Sequence, residues 1–353
     1  MNISDAHKYN ELKRKFSPSK IIFPIILGLG VAAWMMLRDI KPDTFSFFEW
    51  TIGTAFWIFV SFIMMAMRDL AYMWRIRILT DRKISWHDAF QVIMLWEFSS
   101  AVSPSVVGGT GPAIYFLYKE GVNLGKSTAV VLTAIFLDEL FFIIMVPLMI
   151  FIFGDTAFPS EKISILSNLA FYFWIAYGLI FIYTLILIYA LFINPYTIKK
   201  ILSYIFLLPF LKRWRLQIRK LSNQLILTSQ EFKGKNFSFW LKSFSATFIS
   251  WTARYWVINF IFLAFFLDSI GIREHFLIYA RQLTMWIILL ISPTPGGSGI
   301  AEYIFQDFLG DLIPNLDWAV PLAIIWRLIS YYPYLFIGAI VLPRWLHKVF
   351  FKK

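Results

Sequence analysis

Two stretches of this chain can bind an anion with main-chain atoms alone. Ser103-Pro104-Ser105-Val106-Val107-Gly108-Gly109-Thr110-Gly111 and Ser292-Pro293-Thr294-Pro295-Gly296-Gly297-Ser298-Gly299 each interrupt a long apolar run. Proline removes a backbone donor and glycine weakens a helix, so each stretch breaks the helix that carries it. A helix that restarts after the break presents free N–H groups and a partial positive charge. Gly108, Gly109, Gly296 and Gly297 let an anion come close to that backbone. Thr110 and Ser298 are the expected N-caps, and Pro112 suits a first helical turn. The competing role for the glycines is tight helix packing. Duplication favours a site, because paired interruptions in the two halves of a membrane chain point to a transporter's binding site. The expected substrate-binding set is Pro104, Gly108, Gly109, Thr110, Pro293, Pro295, Gly296, Gly297, Ser298 and Glu302.

A second set of side chains can act by charge. Glu97, Asp138, Glu139, Arg254, Arg281 and Arg327 fall inside apolar segments. A charge at the centre of a bilayer costs on the order of 3 kcal/mol, so these six should pair or line a cavity. Asp138 and Arg327 follow Pro104 and Pro293 at the same interval, with opposite sign. They, or Glu139 and Arg327, are expected to meet across a pseudo-two-fold axis. Glu302 is placed to cap the restarted second helix or to meet a cationic head group. Glu97 lies two turns before Pro104 and can carry a proton.

Other chemistries are set aside. The chain has no cysteine, which excludes thiol catalysis and thiolate metal sites, and its four histidines are scattered, so no metal and no cofactor are expected. Gly121-Val122-Asn123-Leu124-Gly125-Lys126-Ser127 imitates a phosphate-binding loop, but Glu120 stands where the first glycine is required. No Gly-x-Ser-x-Gly elbow occurs, and no nucleophile and base are paired, so no catalytic residues are expected.

The elements that position these residues follow from composition. The chain is 59% hydrophobic and only 15% charged over 353 residues. That describes an all-α polytopic membrane protein, with 38 Phe, 15 Trp and 16 Tyr for lipid-facing and interfacial positions. Full spans are expected at 21–37, 45–67, 127–153, 169–193, 239–267 and 318–341, about six in all. The broken stretches 84–118 and 275–309 are expected as re-entrant hairpins. The net charge of +12 fits basic cytoplasmic loops better than nucleic acid. Lys and Arg concentrate in 1–20, 68–83, 119–126, 196–242 and 344–353, leaving Arg38, Lys41, Lys162 and Arg273 for the other side. The N- and C-termini are thus expected in the cytoplasm, with no cleavable signal peptide. Repeat A, about 45–153, recurs upside down as repeat B, about 239–341, within one integral membrane domain, 21–343. It is flanked by a basic N-terminus (1–20) and a basic tail (344–353). The basic segment 196–235 is expected to lie on the inner leaflet.

At these residues the chain resembles the lysylphosphatidylglycerol synthase transmembrane family, also described as flippase-like membrane proteins. The resemblance is carried by Pro104-Ser105-Val106-Val107-Gly108-Gly109, Tyr118-Lys119-Glu120-Gly121-Val122, Leu137-Asp138-Glu139-Leu140 and, most specifically, Pro293 through Glu302. It implies a membrane domain that moves a phospholipid or lipid-linked head group between leaflets. Family members often join this domain to a soluble lysyl-transferase domain, which is not expected here. Many relatives have Glu and Arg just after the first motif, where this chain has Pro112, Ala113, Ile114 and Tyr115. Many also have Arg before the aspartate of the next span, where it has Ala134, Ile135 and Phe136.

The expected function is translocation of a phospholipid or lipid-linked head group in the bacterial cytoplasmic membrane. The partners would be membrane phospholipids, anionic or aminoacylated, with no nucleic acid. One alternative is secondary transport of a small soluble anion. Another is a non-transporting partner of a separate lipid-modifying enzyme, contacted through 196–235.

Overall fold

A computed structural model describes residues 50–103, 109–159, 169–205, 232–267, 270–289 and 299–351, with positions 223, 226, 229, 230, 294 and 297. Helices make up the regular structure among the described residues, and they contain no strand. In chain order they are α1 (Ile52–Leu79), α2 (Trp86–Val102), α3 (Thr110–Lys119), α4 (Leu124–Phe153), α5 (Leu169–Ile188), α6 (Pro195–Ile205), α7 (Phe237–Phe266), α8 (Ile272–Leu289), α9 (Ile300–Leu309), α10 (Ala319–Ser330) and α11 (Tyr332–Phe351). Five segments are long and apolar enough to cross a membrane: Ile52–Leu79, Leu124–Ala157, Ala170–Ile188, Phe237–Phe266 and Leu316–Val349. They overlap five of the expected spans. The sixth, 21–37, lies outside the described residues, as does most of the basic segment beyond α6.

Both broken stretches divide into two helices at their Pro/Gly motifs. The element order long, medium, short, long occurs twice. In the first half the helices have 28, 17, 10 and 30 residues. In the second they have 30, 18 and 10, followed by 12 and 20 joined at Tyr331.

Packing relates the halves. α1 and α7 lie antiparallel along their lengths, with Trp50 against Phe265, Trp57 stacked on Phe260 at 5.7 Å, and Ser61 reaching the Val257 carbonyl. α2 and α11 are also antiparallel, joined by Lys348 to Asp88 at one end and by the Tyr331 hydroxyl donating to the Ala101 carbonyl at the other. The corresponding pair α4 and α8 is antiparallel too, with Phe142 stacked flat on Trp286 at 3.7 Å. The buried core runs between α1, α2, α4, α7 and α11, while α5 keeps much of its apolar surface exposed.

Two local features set helix approach and loop shape. Gly338 on α11 faces Phe98 so closely that an added Cβ would sit 2.2 Å from the ring. Gly338→Ala therefore forces a shift in a buried aromatic, and the expected cost is about 1–3 kcal/mol, read as a lower unfolding temperature in detergent micelles. In the α1–α2 turn, Asp81 and Arg82 both adopt positive φ. Asp81 is held there by Lys126 and Lys235, whose ammonium groups donate to its two carboxylate oxygens at 2.5 and 2.6 Å. Lys126 of the imitation phosphate loop is thus a structural cation, and Asn123 caps α4 by accepting from its amide at 2.8 Å.

Candidate functional site

α1 carries a polar stripe through an otherwise apolar span: Arg68, Asp69, Tyr72 and Arg75. Residues at this spacing share one helical face over two turns. Arg68 is fully buried, with Nη2 2.5 Å from Glu97 Oε2 on α2 and Nη1 donating to Asp69 Oδ1 at 3.0 Å. The Tyr334 hydroxyl on α11 donates to both Asp69 oxygens, at 2.9 and 3.0 Å. The rings of Tyr72 and Tyr334 each lie 4.9 Å from the Arg68 guanidinium, an arrangement that adds cation–π attraction in a dry site.

Two turns along, Arg75 grips Asp138 on α4 with two hydrogen bonds of 2.5 and 3.2 Å. It also donates to Thr247 on α7 at 3.0 Å. The Trp251 indole, again on α7, donates to Asp138 at 2.7 Å. Five helices, α1, α2, α4, α7 and α11, therefore meet in one ionic network. Such a network holds because every charge has a partner; removing one partner leaves a bare charge in low dielectric.

Arg254 stands apart from that rule. It follows Trp251 by about one turn on α7, with its guanidinium 5.5 Å from the indole centroid. It is partly exposed, and its charge acts on Asp69 and Glu97. Among the described residues no carboxylate forms an ion pair with it. Glu139 is also incompletely satisfied, since its buried Oε2 has no hydrogen-bond partner among the described residues.

Two further ion pairs lie elsewhere. On α9 the Glu302 carboxylate is buried, accepts from the Gly299 amide at 2.7 Å and takes the Arg327 Nε–H of α10 at 3.1 Å. The Arg327 guanidinium also lies 3.8 Å from the Tyr331 ring centroid. Arg281 on α8 binds Asp311, with Nη2 donating to Oδ2 at 2.9 Å, and it donates to the Thr156 and Phe308 carbonyls. It thereby ties α8 to the end of α4 and to the turn after α9.

The sequence expectations need correcting in three places. Asp138 pairs with Arg75 and Arg327 with Glu302, so Asp138 and Arg327 do not form the expected pair. Arg68 and Arg75 were assigned to a cytoplasmic loop, but α1 runs on to Leu79 and buries both. The expected N-cap Thr110 is displaced by Gly109, while the N-cap of α9 is Gly299, with Glu302 as its side-chain cap. Glu97, Asp138 and Arg254 do come together. Arg68, Asp69, Arg75, Trp251 and Tyr334 were missed, although the spacing of Arg68, Tyr72 and Arg75 on one helix face was a readable signal.

Of the main-chain set, Pro104, Gly108, Pro293, Pro295, Gly296 and Ser298 lie outside the described residues. Gly109 is pressed against α2, where an added Cβ would lie 2.0 Å from Ser100 Oγ, a close helix approach. Gly297 and Gly299 have φ of 69° and 84°, a left-handed backbone that a side chain would strain. Among the described residues no cluster of acidic and imidazole groups can hold a metal ion.

The family model described as "Lysylphosphatidylglycerol synthase TM region" matches residues 21–338. The chain is also similar to a protein described as "UPF0104 membrane protein" from Archaeoglobus fulgidus, 27% identical over 339 residues, covering 93% of this chain and 98% of the relative. No solved structure matches the chain.

Proposed function

The chain belongs to the family of lysylphosphatidylglycerol synthase transmembrane regions, and from that premise we propose that this multi-pass membrane protein moves a phospholipid head group between leaflets. The observation that carries the proposal is Arg254, a cation within the span α7 that lacks an ion-paired carboxylate among the described residues, beside a network whose other cations are paired. An unpaired charge at that depth costs on the order of 3 kcal/mol, so the site is wet or receives an anion. A phospholipid phosphate supplies that anion while its acyl chains stay in lipid.

The antiparallel pairings α1–α7, α2–α11 and α4–α8 support an inverted repeat, with α2–α3 and α8–α9 as broken hairpins that enter from opposite faces. In this arrangement the first hairpin enters from the cytoplasm, both termini are cytoplasmic, and the protein sits in the cytoplasmic membrane. Movement is downhill or coupled to an ion gradient. No group transfer is assigned to this chain, which would act beside any separate enzyme that modifies the lipid.

The test is the purified protein in liposomes holding fluorescent phospholipids of several head groups, read as loss of protection from an impermeant quencher. Loss faster than in empty liposomes is expected for at least one anionic lipid. Arg254→Gln should slow it at least tenfold with little change in unfolding temperature, and Arg254→Lys should keep part of the rate. No acceleration with any lipid overturns the proposal. Arg254, which has no ion-paired carboxylate among the described residues, also suits a small soluble anion, and radiolabelled phosphate uptake by the same liposomes would favour that second reading.

A further inference from the structure

We infer that the inner half of the protein holds a built site for one acyl chain of an anionic phospholipid, between α4, the turn after α5 and the start of α7. A wide-open groove of about 460 Å³ is lined by Phe136, Leu137, Leu140, Phe192, Trp240 and Phe244, with Phe232 and Lys233 at one end. Its size falls in the ordinary range of small-molecule sites, about 300–1,000 Å³. Ring contacts join its walls: Phe192 meets Phe136 edge-on at 5.2 Å and Trp240 edge-on at 5.2 Å. Every lining side chain except Lys233 is a hydrocarbon or an indole, so the walls of the groove are mainly apolar.

Depth follows from helix geometry. Leu140 lies about 24 Å along α4 from its start, at about 1.5 Å per residue, and Phe244 about 10 Å along α7. The cavity thus runs from the beginning of α7 towards the middle of the span. Lys233 stands at the shallow end. Its ammonium is exposed and donates to the Ile193 carbonyl at 2.9 Å, a neutral acceptor that leaves its charge uncompensated among the described residues. An apolar groove within the span, with an exposed lysine at its mouth that has no carboxylate partner among the described residues, matches part of a lipid tail below an anionic head. Deeper, Leu137 stands next to Asp138, so an occupant would lie on the flank of the helix that carries the ionic network.

The inference stands on membrane embedding and does not require translocation. The experiment places a benzophenone side chain at Phe244 of the full chain, irradiates it in native membranes and identifies adducts by mass spectrometry. Phospholipid adducts are expected, with anionic head groups over-represented several-fold relative to the bulk membrane. Leu140→Trp should fill the slot and remove most of them. Lys233→Glu should abolish the anionic preference while lipid adducts persist. A benzophenone at exposed Phe181 on α5 gives the ordinary lipid contact. Equal yield and composition at both positions would overturn the site. So would adducts to residues 206–222 of the same chain or to a second copy. If these adducts appear as expected while liposome translocation fails, the lipid site stands and the transport proposal falls.

Discussion

Arg68→Ala is expected to destabilise the protein by about 3–5 kcal/mol, the usual consequence of stripping one partner from a buried ion pair. Arg68 has no exposed surface, and its loss leaves Glu97 and Asp69 facing each other without the cation between them. Tyr334 still donates to Asp69, so half the site keeps a hydrogen bond, but Glu97 loses its ion-pair partner. The measurement is thermal or denaturant unfolding in detergent micelles. The control is Arg68→Leu combined with Glu97→Leu. Replacing both charges by apolar groups removes the Glu97 part of the penalty, so the double variant should recover part of the stability, the rest being lost at Asp69, which keeps only the Tyr334 hydroxyl. The Glu97 side chain is already 24% exposed, so a single variant that unfolds like the wild type would mean that water at that edge compensates the lost cation.

The second large effect belongs to Glu302. Its carboxylate does two things at once: it caps α9 through the Gly299 amide and neutralises Arg327. Glu302→Ala removes both, and a loss of about 3–5 kcal/mol is expected from the bare arginine alone. Glu302→Gln separates the roles. An amide oxygen can still accept from Gly299, as Gln does in a capping box, while the negative charge is gone. The glutamine variant should therefore fall between wild type and alanine in unfolding temperature. Equal losses for both variants would show that the charge alone matters, and a glutamine variant as stable as wild type would show that only the cap does.

Much of the architecture was readable because its causes are local. A lone proline or glycine is tolerated inside a helix here, as Pro147 in α4 and Gly338 in α11 show, but the clustered Pro/Gly motifs separate α2 from α3 and α8 from α9. The role of Glu302 as a cap was also readable, since a cap needs only a carboxylate three residues into the helix. The cap position itself was misread: preference for Ser or Thr at an N-cap yields where the backbone must turn left-handed, as at Gly299. The ionic network was only partly legible. Arg68 and Arg75 lower the apolar character of α1 and look like the start of a basic loop. Their burial depends on Asp138, 63 residues beyond Arg75, and on helices later still. Nothing within a single window of sequence signals such a partner. The equal intervals that suggested an Asp138–Arg327 pair describe a repeat, and equivalent positions in a repeat need not touch.

The stripe on α1 also bears on how the protein is made. Arg68 lies well inside α1, where an arginine near the helix centre costs about 2.5–3.5 kcal/mol on insertion, while Arg75 is one turn from the end, and α1 meets the membrane before most of its partners exist. Glu97 follows within the next helix, yet Asp138 and the Thr247 hydroxyl arrive later, and Tyr334 reaches Asp69 only after 265 further residues have been synthesised. Until then Arg68 has only Asp69 and Glu97 to pair with, and the stripe is completed as the later helices pack. Its final depth is a property of the finished chain, set by residues that the ribosome supplies near the end.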